Sequence, residues 1–341
     1  MRIAVDAMGG DHAPHNLIAG VREALSAFPD VEVVLVGDRG ALQRELGRFP
    51  CDDRLEVIHA PEVIGMEEAP AIALQRKRGA SIAVAVRLQK EGKVEAVVSA
   101  GNTGAVVVSS LLELGRIEGV SRPAIAAPFP TEEGVCVLLD VGANPIAKPK
   151  WLLQFAVMGS LYANHILGVP EPRVGLLSIG EESSKGHELI VEAHMLLERS
   201  GLRFIGNVEG RDILRGMADV IVCDGFVGNV LLKFAESIMD FFSASLKGKV
   251  SKRPWRRLGA LLVRPAIREL KEEMDYEEYG GAPLLGVNGV TVKCHGSSSP
   301  KAIRNAIGVA RGMCLNRINE HIKENIPKFN HFKANDHFLE I

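Results

Sequence analysis

Short apolar runs, separated by longer segments of helical periodicity, recur along most of the chain. The runs at 3–5, 31–36, 55–59, 96–99, 124–129 and 135–140 have the length and aliphatic content of buried strands. Those at 174–179, 204–208, 220–223 and 289–293 continue the series. Segments 16–28, 81–91, 151–167 and 187–198 repeat apolar residues every three or four positions and read as helices. Strands alternating with helices predict an α/β fold with a mostly parallel sheet and helices on both faces. A single domain over residues 1–333 accommodates the pattern. The alternation stops between 230 and 279, where 230–246 and 265–279 read as two helices joined by a basic, apolar connector. This predicts a helical hairpin protruding from the α/β body. A helical stretch at 300–324 follows, and 326–341 reads as an irregular tail.

Polar turns rich in glycine follow the strand-like runs. The first is Asp6-Ala7-Met8-Gly9-Gly10-Asp11-His12-Ala13-Pro14, where Gly9 and Gly10 allow close approach of backbone to a ligand. The others are Ser99-Ala100-Gly101-Asn102-Thr103-Gly104, Asp140-Val141-Gly142-Ala143-Asn144, and Gly180-Glu181-Glu182-Ser183-Ser184-Lys185-Gly186. Asp224-Gly225-Phe226-Val227-Gly228-Asn229 and Lys293-Cys294-His295-Gly296-Ser297-Ser298-Ser299 complete the set. In an open α/β sheet, ligands bind outside the carboxyl ends of the strands. If the strands run one way, all these turns fall on one sheet edge. Amides and hydroxyls ahead of helices at 101–104 and 296–299, with Lys185, Lys293 and His295 as cations, favour an anion such as phosphate. As a plain strand–turn–helix corner, Asp11 would only cap a helix, and Asp6, Asp140 and Asp224 have similar structural readings.

Composition narrows the class. The chain has 341 residues, 47% hydrophobic but only 5% aromatic, with 35 glycines, which suits an aliphatic, turn-rich parallel sheet. A net charge of −2 excludes nucleic acid as a bulk partner. The scattered cysteines, Cys51, Cys136, Cys223, Cys294 and Cys314, form no CxxC pair and predict reduced thiols without zinc. The first residues enter a strand with no signal-peptide pattern, so a cytoplasmic chain is expected. No GxGxxG follows a strand, and 180–186 does not fit a phosphate-binding loop of the Walker type. His187 and His194 do not form HExxH; no metal and no cofactor are expected.

The six turns, in this order, resemble sequence blocks of the bacterial phosphate acyltransferases of phospholipid synthesis. The resemblance begins at Asp6–Pro14 and extends over nearly the whole chain. It implies a Rossmann-like fold related to phosphotransacetylases and isocitrate-dehydrogenase-type enzymes, acting as a homodimer. It also implies transfer of a long fatty acyl group from acyl carrier protein to inorganic phosphate, and a downstream glycerol-phosphate acyltransferase that uses the acyl phosphate. The family assigns no firm catalytic roles. With no GxSxG elbow and no poised cysteine, direct attack by bound phosphate is expected. Phosphate is expected near Asn102, Thr103, His295 and Ser297, with Lys185 countering charge and His12 or His295 protonating the departing thiolate. Gly9, Gly10, Ser99, Gly104, Asn144, Asn229, Lys293, Glu181 and Glu182 complete the expected substrate contacts, with Asp6, Asp11, Asp140 and Asp224 orienting cations and backbone donors rather than meeting phosphate.

Between residues 247 and 257 lie Lys247, Lys249, Lys252, Arg253, Arg256 and Arg257, with no acid among them. Trp255, Leu258, Leu261 and Leu262 alongside them suit an anionic membrane surface, and so peripheral association with the inner face of the cell membrane. The same cations suit acidic acyl carrier protein, and a solvated loop would look alike. Leu231, Leu232, Phe234, Ile238, Phe241 and Phe242 are expected against a dimer mate. A phosphotransacetylase of short acyl-CoA remains an alternative. So does an NAD-dependent decarboxylating dehydrogenase of related fold, although neither a carboxylate cluster nor a cofactor loop is evident. A noncatalytic membrane scaffold would leave the polar strand ends unexplained.

Overall fold

A computed structural model of the protein describes residues 1–251, 254–273 and 276–332. The first part of the chain runs β1 (Arg2–Asp6), α1 (His15–Ala27), β2 (Glu32–Gly37), α2 (Arg39–Leu46), β3 (Leu55–His59), α3 (Pro70–Arg76), α4 (Ser81–Lys90) and β4 (Ala96–Ser99). Next come α5 (Thr103–Glu113), β5 (Ala124–Thr131), β6 (Gly134–Leu139), α6 (Pro149–His165), β7 (Val174–Leu177), α7 (Glu188–Glu198), β8 (Phe204–Val208) and β9 (Val220–Val222). The helical pair α8 (Gly225–Ser251) and α9 (Pro254–Glu273) precedes β10 (Ala282–Leu285), β11 (Val290–Lys293), α10 (Pro300–Leu315) and α11 (Ile318–Phe329).

The eleven strands among the described residues form one sheet in the order β3-β2-β1-β4-β11-β10-β5-β6-β9-β7-β8. Neighbours from β3 to β11 are parallel, and so are β6, β9, β7 and β8. The β11–β10, β10–β5 and β5–β6 pairs are antiparallel. Three reversals leave the two parallel blocks running in opposite senses, which corrects the expectation of a single turn-bearing edge. The turns nevertheless converge, because the blocks are staggered. Asp6, Ser99, Lys293 and Ala282 share one level, Ile125 opposes Leu284, and Leu139 opposes Ala126. The carboxyl ends of both blocks therefore meet from opposite directions within about one residue of the same level.

Side chains alternate between the two faces, as the period of a strand requires. Ile3 and Val5 join one core with Val98, Val292 and Leu139, under α1, α6, α7, α10 and α11. Ala4, Val34 and Val97 face the other way, under α3, α4 and α5. Beside them, Ile125, Leu138 and Ile221 pack with Leu231 and Leu232 of α8.

The helical pair departs from expectation in its bounds. α8 begins at Gly225 and α9 at Pro254, so most of the expected connector is helix and Pro265 lies inside α9. Proline suits a first helical turn; Pro254 stands at the start of the helix and meets that rule, whereas Pro265 lies within it. Residues 326–329, expected to be irregular, complete α11, because Ile318, Ile322 and Ile326 form one buried stripe. The rest of that tail, from 333, lies outside the described residues. The expected 300–324 helix is two helices, broken where Arg317 takes a left-handed φ of 49°.

Candidate active site

A cavity of about 480 Å³ opens where the two blocks meet. Asp11 from the β1 turn, Asn102, Thr103 and Gly104 from the β4 turn, and Lys293, His295 and Gly296 from the β11 turn line one side. Val141 and Gly142 after β6, and Asn229, Leu232, Lys233 and Glu236 on α8, line the other. Five turns thus reach one space. Lys233 and Glu236 were not among the expected site residues. Their spacing on one helix, Lys233 four residues after Asn229, itself expected at the site, and Glu236 three after Lys233, is the signal that could have found them.

On the first side the backbone is prepared for an anion. Asn102 caps α5: its Oδ1 accepts Ala105 N–H at 3.1 Å and its carbonyl accepts Val106 N–H. Its Nδ2 donates to the carbonyls of Gly65, Met66 and Glu68, the shortest of these 2.8 Å, and so ties the 65–68 loop to the rim. Asn102 is therefore committed to structure, while Thr103 and Gly104 stand at the positive end of the α5 dipole facing the cavity. Lys293 is 8% exposed, and its Nζ donates to the Cys294 carbonyl. Burial pulls its pKa down, opposed by the charges of Asp6, Asp11 and Glu236. His295 is exposed, with Nδ1 2.8 Å from Ser297 Oγ and Nε2 3.8 Å from Glu236 Oε2.

Beneath this surface lies a polar floor. Asp6 Oδ2 accepts the Ser99 hydroxyl at 2.7 Å, and Ser99 Oγ accepts Gly101 N–H at 3.1 Å. Burial raises the Asp6 carboxyl pKa, with hydrogen bonds from Ser81 and Ser99 opposing the rise. Gly10 adopts a φ of +100°, and Asp11 N–H donates to the Gly296 carbonyl at 2.8 Å, joining the β1 and β11 turns. Asp6, Gly9, Gly10 and Ser99 thus support the cavity from below rather than line it.

The second side is built around Asp140, which is fully buried. Its carboxylate accepts N–H groups from Ile125, Gly142, Ala143 and Asn144, and the Asn144 Nδ2 at 2.9 Å. Asn144 in turn reaches the Pro123 carbonyl. A Cβ at Gly228 would lie 1.9 Å from the Asp140 carbonyl oxygen, so only glycine lets α8 enter here. Asp224 caps that helix by accepting Val227 N–H at 2.9 Å.

The β7 turn is elsewhere. Glu181, Glu182 and Lys185 are exposed and outside the first cavity, because β7 is separated from β6 by β9. Gly186 and His187 line a second cavity of about 450 Å³ with Leu177, Ile179, Ile190, Asp224, Val227 and Leu231. Cations from β11 and α8 occupy the place expected for Lys185. His12 is exposed and outside both cavities, as is Ser297, which reaches the first only through His295. Burial pushes the Cys294 thiol up to about 12, far from a reactive thiolate at neutral pH.

On the helical pair, Phe234, Ile238 and Phe241 of α8 and Leu261 and Leu262 of α9 are exposed, the last two at 61% and 78%. The side chains of Trp255, Leu258 and Phe242, and residues 252–253, lie outside the described part. Among the described residues, no helix is long and apolar enough to cross a membrane.

The fold is an α/β architecture of the phosphotransacetylase-like kind. A phosphotransacetylase from Streptococcus pyogenes superposes with a TM-score of 0.62, covering 92% of this chain and 94% of that one at 16% identity, a likeness of fold alone. A family model described as "Fatty acid synthesis protein" matches residues 1–321. A phosphate acyltransferase from Heliobacterium modesticaldum is 53% identical, covering 96% of this chain and 98% of that protein. Another from Desulfitobacterium hafniense is 52% identical over the same shares. The chain belongs to this phosphate acyltransferase family and is an acyltransferase.

Proposed function

We propose that this enzyme transfers a long-chain fatty acyl group from acyl carrier protein to inorganic phosphate, releasing acyl phosphate and the carrier thiol. The observation that carries this reading is the first cavity, where the amino end of α5 faces Lys293, Lys233 and His295. Such a site suits a doubly charged anion held by dipole and cations. Bound phosphate attacks the thioester carbonyl, and the amino end of α5 with Lys293 stabilises the oxyanion. His295 protonates the departing sulphur. The buried, high-pKa Cys294 supports direct attack over an acyl-enzyme. Purified enzyme with palmitoyl-acyl carrier protein should release thiol only when phosphate is added, with matching hydroxylamine-trappable acyl phosphate. Activity with acetyl-CoA alone would favour a short-chain phosphotransacetylase instead, and silence with both would defeat either reading.

The second cavity supports the long-chain choice, because Leu177, Ile179, Ile190, Val227 and Leu231 present mostly apolar surface, and α8 lines both cavities. Leu231→Trp should lower turnover of a palmitoyl donor by roughly tenfold relative to an acetyl donor, as lost burial of a few methylenes would. An unchanged ratio between the two donors would place the chain elsewhere. The apolar strip of Phe234, Ile238 and Phe241 supports a homodimer contact on α8.

Exposed Leu261 and Leu262 on α9, with exposed Arg264 two residues on, support peripheral contact with an anionic membrane. Changing both leucines to serine should weaken binding to anionic vesicles by at least about tenfold. Equal binding of the parent and this variant would remove α9 from any membrane contact. A product with a lipid tail would then pass at the membrane to a glycerol-phosphate acyltransferase.

A further inference from the structure

The turn after β11 grips one edge of the His295 ring and leaves the other edge to α8. Ser297 N–H points at His295 Nδ1 from 3.3 Å, a contact that is met when the neutral ring carries its proton on Nε2. When the ring is charged, Nδ1 donates instead to Ser297 Oγ, 2.8 Å away. Both protonation states are thus accommodated without turning the ring. Nε2 lies 3.8 Å from Glu236 Oε2, an ion-pair distance longer than a hydrogen bond. Lys293 from β11, Lys233 from α8 and Asp11 from the β1 turn line the same cavity as the ring.

We infer that Glu236 is a positioning residue: its carboxylate orients the His295 ring so that Nε2 can deliver its proton to the leaving sulphur. This rests on the acyl-transfer reading above. A phosphate oxygen lone pair forms the new C–O bond, the C–S bond breaks, and its electron pair stays on sulphur. Sulphur takes the Nε2 proton. The monohydrogen phosphate carries a proton in; the acyl phosphate is the stronger acid and returns that proton to the ring. The 3.8 Å gap keeps the carboxylate from capturing the proton, so it acts through charge.

The test compares the parent with Glu236→Gln, Glu236→Asp, His295→Gln and the double variant Glu236→Gln/His295→Gln, reading kcat and KM for phosphate-dependent thiol release. In Glu236→Gln, kcat should fall by about 10- to 100-fold, with KM for phosphate changed less than about twofold. Glu236→Asp should recover part of that loss. In the His295→Gln background, Glu236→Gln should cost less than about twofold more, because a group that acts only through the ring then has nothing to orient. A Glu236→Gln variant within about threefold of the parent in kcat, or losses that multiply in the double variant, overturns the inference. A parent enzyme without phosphate-dependent release defeats the acyl-transfer reading instead, an outcome distinct from an active parent that tolerates the change.

Discussion

Lys293→Met is expected to lower kcat/KM for phosphate-dependent thiol release by about 10²–10³-fold, while the melting temperature rises. The first effect is the usual loss when a preorganised group that faces developing charge is removed from a water-poor site. Lys293 is buried at the carboxyl end of β11, in register with Ser99, and cannot be replaced by a solvent cation. The second effect follows from linkage. Burial holds the folded pKa of Lys293 below its ordinary value, so between those two values the unfolded chain binds the proton that the folded chain releases. Stability therefore rises with pH across that window, and burying the amine costs stability below it. A methionine of similar length removes the charge and keeps the packing. Turnover assays and thermal melts at pH 7 check both effects. A variant within threefold of the parent in kcat/KM would take Lys293 out of the mechanism. A lower melting temperature would show that its hydrogen bond outweighs the cost of its burial.

Asp140→Ala is expected to destabilise the fold by roughly 3–5 kcal/mol and to abolish turnover with it. Four backbone N–H groups and the Asn144 amide converge on this one carboxylate, which has no exposed surface. Alanine leaves those donors buried without acceptors, and the cost of such orphaned groups exceeds what the lost bonds were worth. Val141 and Gly142 line the cavity, so loosening this turn also opens the second side of the site. Asp140→Asn keeps one acceptor oxygen and should cost about half as much. Thermal melts or urea titrations check the series. An alanine variant melting within a degree of the parent would mean that water reaches the turn and satisfies these groups.

The resemblance carried by six short blocks pointed to the family, and homologues at about half identity bear that out. The elements were legible because their signals are local. Each of the ten expected strands occurs within a few residues, since a run of Val, Ile and Leu between glycine turns has few other uses in an α/β chain. β10 escaped, being four residues long with Pro283 inside it. The reversal of the sheet left a trace that the alternation obscured. β5 and β6 are separated only by Glu132 and Glu133, with Gly134 at a φ of +123°. Two residues can close a hairpin but cannot carry the crossover that a parallel pair needs.

Among the site residues, the sequence by itself determined which chemistry could be present: turns with glycine, amides, hydroxyls and cations at strand ends. Asp11, Asn102, Thr103, Gly104, Asn229, Lys293 and His295 do come together in one cavity. Only the tertiary structure decided which turns share that cavity. Strand order sets β7 one strand too far for Lys185, while the stagger of the two blocks swings α8 across the gap and brings in Lys233 and Glu236. The physical reason is the range of the forces involved. Strand and helix propensities act over a few residues, whereas the level at which two opposed blocks meet is set by pairings between residues more than a hundred positions apart, such as Ile125 with Leu284.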